Sequence, residues 1–539
     1  MQTVAVIGAG PSGLVAAKYL KSEGFSPVVF EQGRGVGGHW SGDPEYSGVW
    51  PSMRVNTSRV MTAFSDLRHA PDAPIYLANQ ALRGYLERYA QRFDLMSCMR
   101  LNTRVLDVAP DPSAGGWVIR FSQDGAAPRE ERFAKVVIAT GRHNKPMIPA
   151  VSGLRSFSGI GGVAHAYDYK QPERYRGQRV LVVGGSISAL EISSDLVQLG
   201  AAQVITAYQR QRYVHQQLIA GMPADHVLIN RYRALAEESF PYDVTSRGFR
   251  DFIVRTCGSP EQFGARQPSA DIGEAIVTMS QTFLPLVAQG RIEIKPWLQA
   301  IDGRTVHFTD GSRQEVDAII FGTGYGLNLP YLSGDLQRKL GLDATHIDLY
   351  KYTFHPDLPD LAFLGIVELI GTNFPPLELQ ARWISYVFSG ARPSPSAEEM
   401  RAGVAACRAR RRGPQWVPTQ YATLLFARAA GVEPDLPQWP ELARELLFGP
   451  LSAVSFRLSG RDRLPQAPQF VVEDARAFGV VPSAAFSQDE CARLQALARA
   501  RRDDAFAQYI ARVTAVAAPG AVSSPAWSPA DGQIPERCF

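Results

Sequence analysis

The chain has 539 residues, of which 45% are hydrophobic and 20% charged, and its formal net charge is +4. That length points to more than one domain, and the composition is ordinary for a globular protein. So small a charge excess argues against a nucleic-acid partner or a membrane surface. The five cysteines, Cys98, Cys257, Cys407, Cys491 and Cys538, show neither CxxC nor zinc-type spacing. An odd, scattered set fits a reducing compartment, so the expected location is cytoplasmic.

The N-terminus, MQTVAVIGAG, has no basic region and runs straight into a strand pattern, so it does not read as a signal peptide. No apolar run reaches membrane-helix length. Val4–Ile7 reads as an apolar strand, followed by a glycine turn, a helix from about Ser12 to Ser22 and a strand at Pro27–Phe30. Apolar strands joined by a helical crossover imply a buried parallel sheet. The turn, Gly8-Ala9-Gly10-Pro11-Ser12-Gly13, fits G-x-G-x-x-G. In that pattern Gly8 permits the tight turn, Gly10 lets backbone approach a pyrophosphate, and Gly13 lets helix and strand pack closely. The helix N-terminus supplies N–H groups and positive dipole. Glu31, at the end of the second strand, stands where an acid bonds a ribose 2′-hydroxyl. A second glycine cluster, Gly35-Val36-Gly37-Gly38-His39-Trp40, favours FAD over NAD as the ligand, since it lets the chain pass close to a longer nucleotide. Trp40 reads either as a core aromatic or as a wall of the flavin.

Lys135–Ala139, before Thr140–Gly141, reads as a strand returning to this first unit. The strand–turn–helix–strand pattern recurs at Arg179–Val183, Ala189–Leu199 and Val204–Ala207. Its turn, Gly184-Gly185-Ser186-Ile187-Ser188-Ala189, has Ser186 at the middle glycine position and Ala189 in the third slot. Serine is small enough for phosphate approach and its hydroxyl can donate. The next strand ends in Tyr208-Gln209-Arg210-Gln211-Arg212, with arginine and no acid. A guanidinium there suits a 2′-phosphate, so the second nucleotide reads as NADPH; the alternative is that Arg210 and Arg212 are solvated surface charges.

Residues from about 215 to 300 are mostly helical in pattern and read as an insertion in the second unit. The strand Ala318–Phe321, before Gly322–Thr323–Gly324–Tyr325, closes that unit. The basic run Arg408–Ala409–Arg410–Arg411–Arg412 reads as a solvated helix face. Ser487–Gln488–Asp489–Glu490 forms a capping box that opens a helix of about 25 residues ending near Val513. The stretch from Ala515 to Phe539, rich in Ala, Pro and Ser, reads as a loose tail. The nine histidines include no HExxH and no paired spacing, so no metal site is expected.

These elements predict an α/β fold with two Rossmann-like dinucleotide-binding domains, the NADPH domain inserted into the FAD domain. Residues 1–154 and 326–470 would form the FAD domain, 155–325 the NADPH domain, and 471–539 a C-terminal helical extension and tail. A flavoprotein reduced by NADPH must pass its electrons on. A dithiol acceptor needs a redox cysteine pair, which the spacing excludes internally; dioxygen is the other acceptor.

The ordered motifs resemble the flavin-containing monooxygenases. They are GAGPSG with Glu31, GGHW at 37–40, VNTSRVMTAFSDL at 55–67, YLERYAQRF at 85–93, TRV at 103–105, ATG at 139–141 and HAYDYK at 165–170. GGSISALE at 184–191, QRQR at 209–212, FGTGY at 321–325, LYKYTFHPDLPDLAFLG at 349–365, NFPPLELQARW at 373–383 and LLFGPLSAVSFRLSG at 446–460 follow, so the resemblance runs to about 465. In the family signature F-x-G-x-x-x-H-x-x-x-[YF], Gly161, His165 and Tyr169 hold the spacing, but Gly159 occupies the Phe slot and Phe157 lies two residues earlier. His165 is expected to be structural, at the domain linker.

The resemblance implies that NADPH reduces FAD, that NADP+ stays bound, and that a C4a-hydroperoxyflavin oxygenates a soft nucleophilic nitrogen or sulfur atom of a small molecule. It assigns Asn56 as the main catalytic residue; read alone, Asn56 is equally a turn residue. It also assigns Gly8, Ala9, Gly10, Pro11, Ser12, Gly13, Glu31, Gly38, His39, Trp40, Asn56, Thr57, Val105 and Thr140 to FAD, with Gln380 where the C-terminal part returns to the flavin. Gly184, Ser186, Ser188, Ala189, Leu190, Glu191 and Arg210 fall to NADP. Substrate and O2 are then the small-molecule partners, and a homodimer is compatible. Baeyer–Villiger insertion or oxidative decarboxylation at a carbonyl is the alternative chemistry; an NADP(H)-sensing binding protein is the alternative class.

Overall fold

The computed structural model describes residues 2–411 and 415–515; Arg412, Cys538 and the expected tail beyond Ala515 lie outside them. Two five-stranded sheets, all of whose pairings are parallel, organise the chain. The first comprises β1 (Thr3–Ile7), β2 (Ser26–Phe30), β3 (Met99–Arg100), β4 (Lys135–Ile138) and a late strand at Leu361–Phe363. Between β4 and that late strand lies the whole second sheet: β5 (Gly162–His165), β6 (Arg179–Val183), β7 (Gln203–Ala207), β8 (Glu293–Lys295) and β9 (Ala318–Phe321). With the late strand as β10, the spatial orders are β10-β4-β1-β2-β3 and β8-β7-β6-β9-β5. The second sheet is therefore an insertion in the first.

The unbroken apolar strands follow from burial on both faces. Val4 and Val6 face one cluster, which includes helix α1 (Pro11–Ser22), while Ala5 and Ile7 face another. The second cluster lies under a three-stranded antiparallel sheet, Thr103–Pro110, Trp117–Gln123 and Arg129–Phe133. The second sheet repeats the plan. Val180 and Val182 pack with helix α2 (Ile187–Leu199), whereas Leu181 and Val183 pack with residues of the strands Leu298–Asp302 and Thr305–Phe308.

Three expectations need correction. The helical region after 215 does contain helices, but it divides: Ile219–Cys257, Ile272 and Ala275 supply the core of the first sheet, while Phe263, Ala265 and Phe283–Val287 pack with the second. Helix α3 (Arg231–Ser239) packs against helices Thr419–Ala430, Ala443–Phe448 and Gln488–Arg501. The 25-residue helix is two helices. Ser487 and Glu490 do form the capping box, but the helix stops at Arg501; Arg502 takes φ +54°, and Asp503 caps a new helix, Asp504–Thr514. The basic run is not merely solvated, because Arg408 Nε donates to Asp348 Oδ2 at 2.9 Å, and Asp348 is buried.

His165 is 1% exposed; its Nδ1 accepts from Tyr167 N at 3.1 Å and its Nε2 lies 3.0 Å from Gly324 O. It joins β5 to the turn after β9, a structural arrangement. The missing Phe of the signature is also explained. A Cβ on Gly159 would lie 2.3 Å from Phe157 Cζ, so the Phe157 ring lies over the Gly159 backbone. Among the described residues no helix is long and apolar enough to cross a membrane.

At the first glycine turn a Cβ on Gly13 would stand 1.8 Å from Gly8 O, whereas one on Gly35 meets nothing within 4 Å. Gly13→Ala should lower stability by about 3 kcal/mol, the top of the usual overpacking range, and Gly35→Ala should leave it unchanged. Urea unfolding followed by far-UV circular dichroism checks the contrast.

Candidate nucleotide and active site

The first turn leaves bare backbone where an anion would lie. Gly8 has φ +102°, and a Cβ there would sit 2.7 Å from Ala139 O. A Cβ on Gly38 (φ +56°) would come within 2.9 Å of Gly10 Cα, so the two glycine clusters meet backbone to backbone. Gly37 N donates to Ala9 O at 2.9 Å and fixes that meeting. α1 begins at Pro11 with no side-chain cap and no acid in its first turn, which leaves its dipole and N–H groups for a ligand. Ser12, buried beside Pro11, lies under Gly365, whose Cβ would stand 2.4 Å from Ser12 Oγ.

Glu31 braces this turn. Its Oε2 accepts from Ala9 N at 2.8 Å and its Oε1 from Gly33 N at 2.7 Å. Burial raises its pKa, and the two backbone donors oppose the shift. His39 stands edge-on to Trp40, with ring centroids 5.7 Å apart. Burial holds its pKa down to about 3, so the imidazole is neutral, and its buried Nδ1 has no hydrogen-bond partner. Trp40 is half-buried against the main core cluster. Val105 packs half-buried on the second cluster, beside a bulge, and Thr140 Oγ1 pairs with Tyr331 Oη at 2.7 Å.

At the second turn Gly184 (φ +139°) could carry no side chain, since its Cβ would lie 2.4 Å from Gly322 O. Ala189 fills the third slot because it faces another glycine: a Cβ on Gly322 would lie 2.8 Å from Ala189 Cβ. Ser186 is the N-cap of α2 but its hydroxyl makes no capping bond, and no acid occupies the first turn. Ser188 is half-buried and Leu190 buried. Desolvation first, and Asp195 second, lift Glu191 to about 8, so it is protonated at neutral pH. The two arginines part company. Arg210 is exposed and makes no ion pair among the described residues, while Arg212 lies over the Trp416 ring at 5.7 Å. Arg266, from the inserted region, joins the strand end: its guanidinium lies 4.8 Å from the Tyr208 ring centroid, Nη2 bonds Tyr208 O, and buried Nε has no partner. Arg266 lies far along the chain in a loop, and no motif marks it.

Asn56 lies on a stretch held at two points by buried carboxylates. Ser58 N donates to Asp225 Oδ2 at 2.6 Å, and His226 Nε2 lies 3.1 Å from Ser58 Oγ. Ser65 N donates to Glu378 Oε2 at 2.7 Å, and Tyr19 Oη donates to Glu378 Oε1 at 2.8 Å. Thr57 Oγ1 is engaged with Thr62 Oγ1 at 2.8 Å. Asn56 is half-buried, and its amide has no partner among the described residues. A cavity of about 360 Å³ opens beside this stretch, between Arg59–Pro71 and Ser452–Ala477, with Phe64, Arg68, His69 and Asp474 in its walls.

Gln380 differs from the expectation of a ligand contact. Its Oε1 accepts from Gly365 N at 3.1 Å, and its Nε2 faces Thr353 Oγ1 at 2.8 Å and Phe363 O at 3.0 Å. Its amide is engaged by protein, so it acts on the first turn through Gly365. Asp225, His226 and Glu378 had no motif of their own; Glu378 does stand inside ELQARW, beside the glutamine that drew attention.

A family model described as flavin-binding monooxygenase-like matches residues 1–482. Dimethylaniline monooxygenase (N-oxide-forming) 2 of Cavia porcellus is 31% identical over 484 residues, covering 85% of this chain and 88% of that protein. Among solved structures, S-allyl-L-cysteine S-oxygenase from Allium sativum superposes with a TM-score of 0.60 at 23% identity, covering 88% of this chain and 99% of that one. An oxidized steroid monooxygenase bound to NADP superposes with a TM-score of 0.58 at 19% identity, covering 80% and 97%.

Burial holds Asp225 up at about 6, against an ordinary 3.8. The folded chain keeps a proton there that the unfolded chain has lost, so this group's contribution to stability is complete below about pH 4 and is lost as pH rises to about 6. Asp225→Asn keeps an acceptor for Ser58 but cannot titrate. Its thermal midpoint should therefore gain on the wild type across that window, as scanning calorimetry at pH 4 and pH 7 would read.

Proposed function

Since the chain belongs to the flavin-binding monooxygenase-like family, we propose that it is an FAD- and NADPH-dependent monooxygenase that uses O2 to oxygenate a soft nitrogen or sulfur atom of a small molecule. The carrying observation is the pairing of two glycine turns on two sheets, with an acid, Glu31, ending the strand after the first and arginine, Arg210, after the second. An enzyme with two such turns suits a separate hydride donor and oxygen-activating cofactor. On this reading residues 1–154 and 326–470 hold FAD and 155–325 hold NADPH, and the four cysteines among the described residues, all unpaired, suit a cytoplasmic setting.

The residues fit both groups. The Gly10–Gly38 contact leaves no side chain between backbone and a pyrophosphate, and the orphaned Nδ1 of His39 lies beside it in sequence. The free hydroxyl of Ser186 and the unpaired Arg210 suit phosphates, with Arg266 as a second cation at the same strand end. A flavin held there would supply the redox chemistry that links NADPH to O2. The task left to the protein is to exclude water and supply a fixed donor. Asn56 meets the second need: an amide donates without releasing a proton. Asp225 and Glu378 hold the stretch that carries it. Neutral His39 and protonated Glu191 keep extra charge away from the two turns.

The test is to release and identify the flavin from purified protein, then follow NADPH and O2 consumption with tertiary amines, thioethers and ketones. N-oxide or sulfoxide products support the reading; inability to take up FAD, or turnover with ketones alone, overturns it. Asn56→Ala should keep NADPH-driven flavin reduction while product falls and H2O2 rises, read by stopped flow and a peroxide assay. Arg210→Ala should raise the NADPH KM roughly tenfold or more, from loss of a charge-assisted bond of ~1.5–3 kcal/mol, and should leave NADH turnover unchanged.

A further inference from the structure

Away from both turns, a loop at 343–348 meets helix α5, if α4 denotes Phe374–Phe388 and α5 Ala397–Ala409. We propose that His346, Asp348 and Cys407 at this joint bind a borderline-soft divalent cation of the zinc type.

The donor geometry carries the proposal. His346 Nε2 lies 3.6 Å from Cys407 Sγ and 3.5 Å from Asp348 Oδ1, and all three donor atoms lie within 4.8 Å of one another. A tetrahedral ion with bonds of about 2.0–2.2 Å to N and O and about 2.3 Å to S spaces its donors ~3.4–3.6 Å apart. Both separations from His346 match that spacing. The His346–Asp348 separation is too long for a strong ion pair or hydrogen bond between N and O.

Burial points the same way. His346 is 3% exposed and Asp348 1%, and Asp348 Oδ1, the oxygen that faces His346 Nε2, is buried without a hydrogen-bond partner. Arg408 Nε holds the other carboxylate oxygen, Oδ2, at 2.9 Å and so turns Oδ1 toward the imidazole. Gln415 Nε2 lies 3.3 Å from Cys407 Sγ, a donor suited to a thiolate. Cys407 is half-exposed, which gives an ion a way in. Binding would take the Sγ–H proton to solvent and form an S–metal bond; thiolate and carboxylate together then balance a 2+ ion. Imidazole and thiolate donors select zinc-like ions over magnesium or calcium, which prefer oxygen. Arg411 is the competitor. Its Nη2 lies 3.5 Å from Asp348 Oδ1 while it also bonds Gly341 O, so an ion must share that oxygen with it.

The consequence is a staple. It would join two segments 61 residues apart. Four residues beyond Asp348 is Tyr352, whose carbonyl faces Gln380 Nε2 at 3.2 Å, so the brace lies next to the clamp that supports Gly365.

The experiment uses the full-length protein made without a histidine tag. Elemental analysis measures zinc per chain, and titration of metal-stripped protein with Co2+ follows the thiolate-to-cobalt charge-transfer absorption. One equivalent and a clear band are expected in wild type and in the control Cys98→Ser, with both lost in Cys407→Ser and His346→Ala. Zinc should also raise the thermal midpoint of wild type and of Cys98→Ser but not of Cys407→Ser, which separates binding from loss of fold. If wild type takes up no more metal and shows no more absorption than Cys407→Ser, the three residues are only an ion-pair knot closed by Arg408 and Arg411, and the proposal falls.

Discussion

The buried carboxylate of Glu378 is the contact on which the arrangement of the first glycine turn and the Asn56 stretch depends. It is 1% exposed and is reached by Tyr19 from α1, by Ser65 from the Asn56 stretch and, at 4.0 Å, by Arg457 near the C-terminal end of the matched region. An ionised carboxylate is tolerated in such a place only when its lone pairs are filled. Three distant parts of the chain are thereby obliged to meet at one point. Arg457 extends the network, since its Nη1 bonds both Tyr19 Oη at 2.7 Å and Asp462 Oδ2 at 2.8 Å, and Asp462 also pairs with Arg382, which is wholly buried. The network gives little net stability for its size, but it gives one geometry: no sliding of α1 against α4 keeps all its members paired.

The parts legible in the sequence are those governed by local rules. β9 begins and ends where its apolar run does, and β6 ends with its own, because a strand buried on both faces leaves an uninterrupted signature. Gly8 and Gly184 are readable because a tight turn after a parallel strand requires positive φ. The family followed from the same motifs taken in order. Arg266, Asp225 and Glu378 were not legible as site residues, since each acts across a long separation and no spacing rule links them to Tyr208, Ser58 or Ser65. The break at Arg502 escaped because both flanking helices carry good helix formers; only the Asp503 side chain, accepting from Phe506 N, reveals a new start. The division of the region after 215 between two cores is illegible for a similar reason: amphipathic helices declare that they have an apolar face, not which core it joins.

Helices α6 (Gln488–Arg501) and α7 (Asp504–Thr514) lie beyond the residues matched by the family model. They are nonetheless part of the core. Glu490 caps its own helix through Ser487 N at 2.7 Å and at once pairs with the buried Arg444 at 3.1 Å. Leu494, Leu497 and Tyr509 join the cluster that holds α3, and Arg501 reaches Glu238 at the end of α3. Helix α3, which begins five residues after His226, is thus pressed into place from the far end of the chain.

The Phe157–Gly159 arrangement limits what this linker can carry. The Phe157 ring arrives from two places upstream of the signature slot and lies over a residue with no side chain. A Cβ at 159 would meet the Asp317 carbonyl oxygen at 2.4 Å as well as the ring at 2.3 Å, so the backbone refuses a side chain there even with Phe157 removed. A pattern that insists on Phe at 159 therefore describes a chain path that this linker does not take.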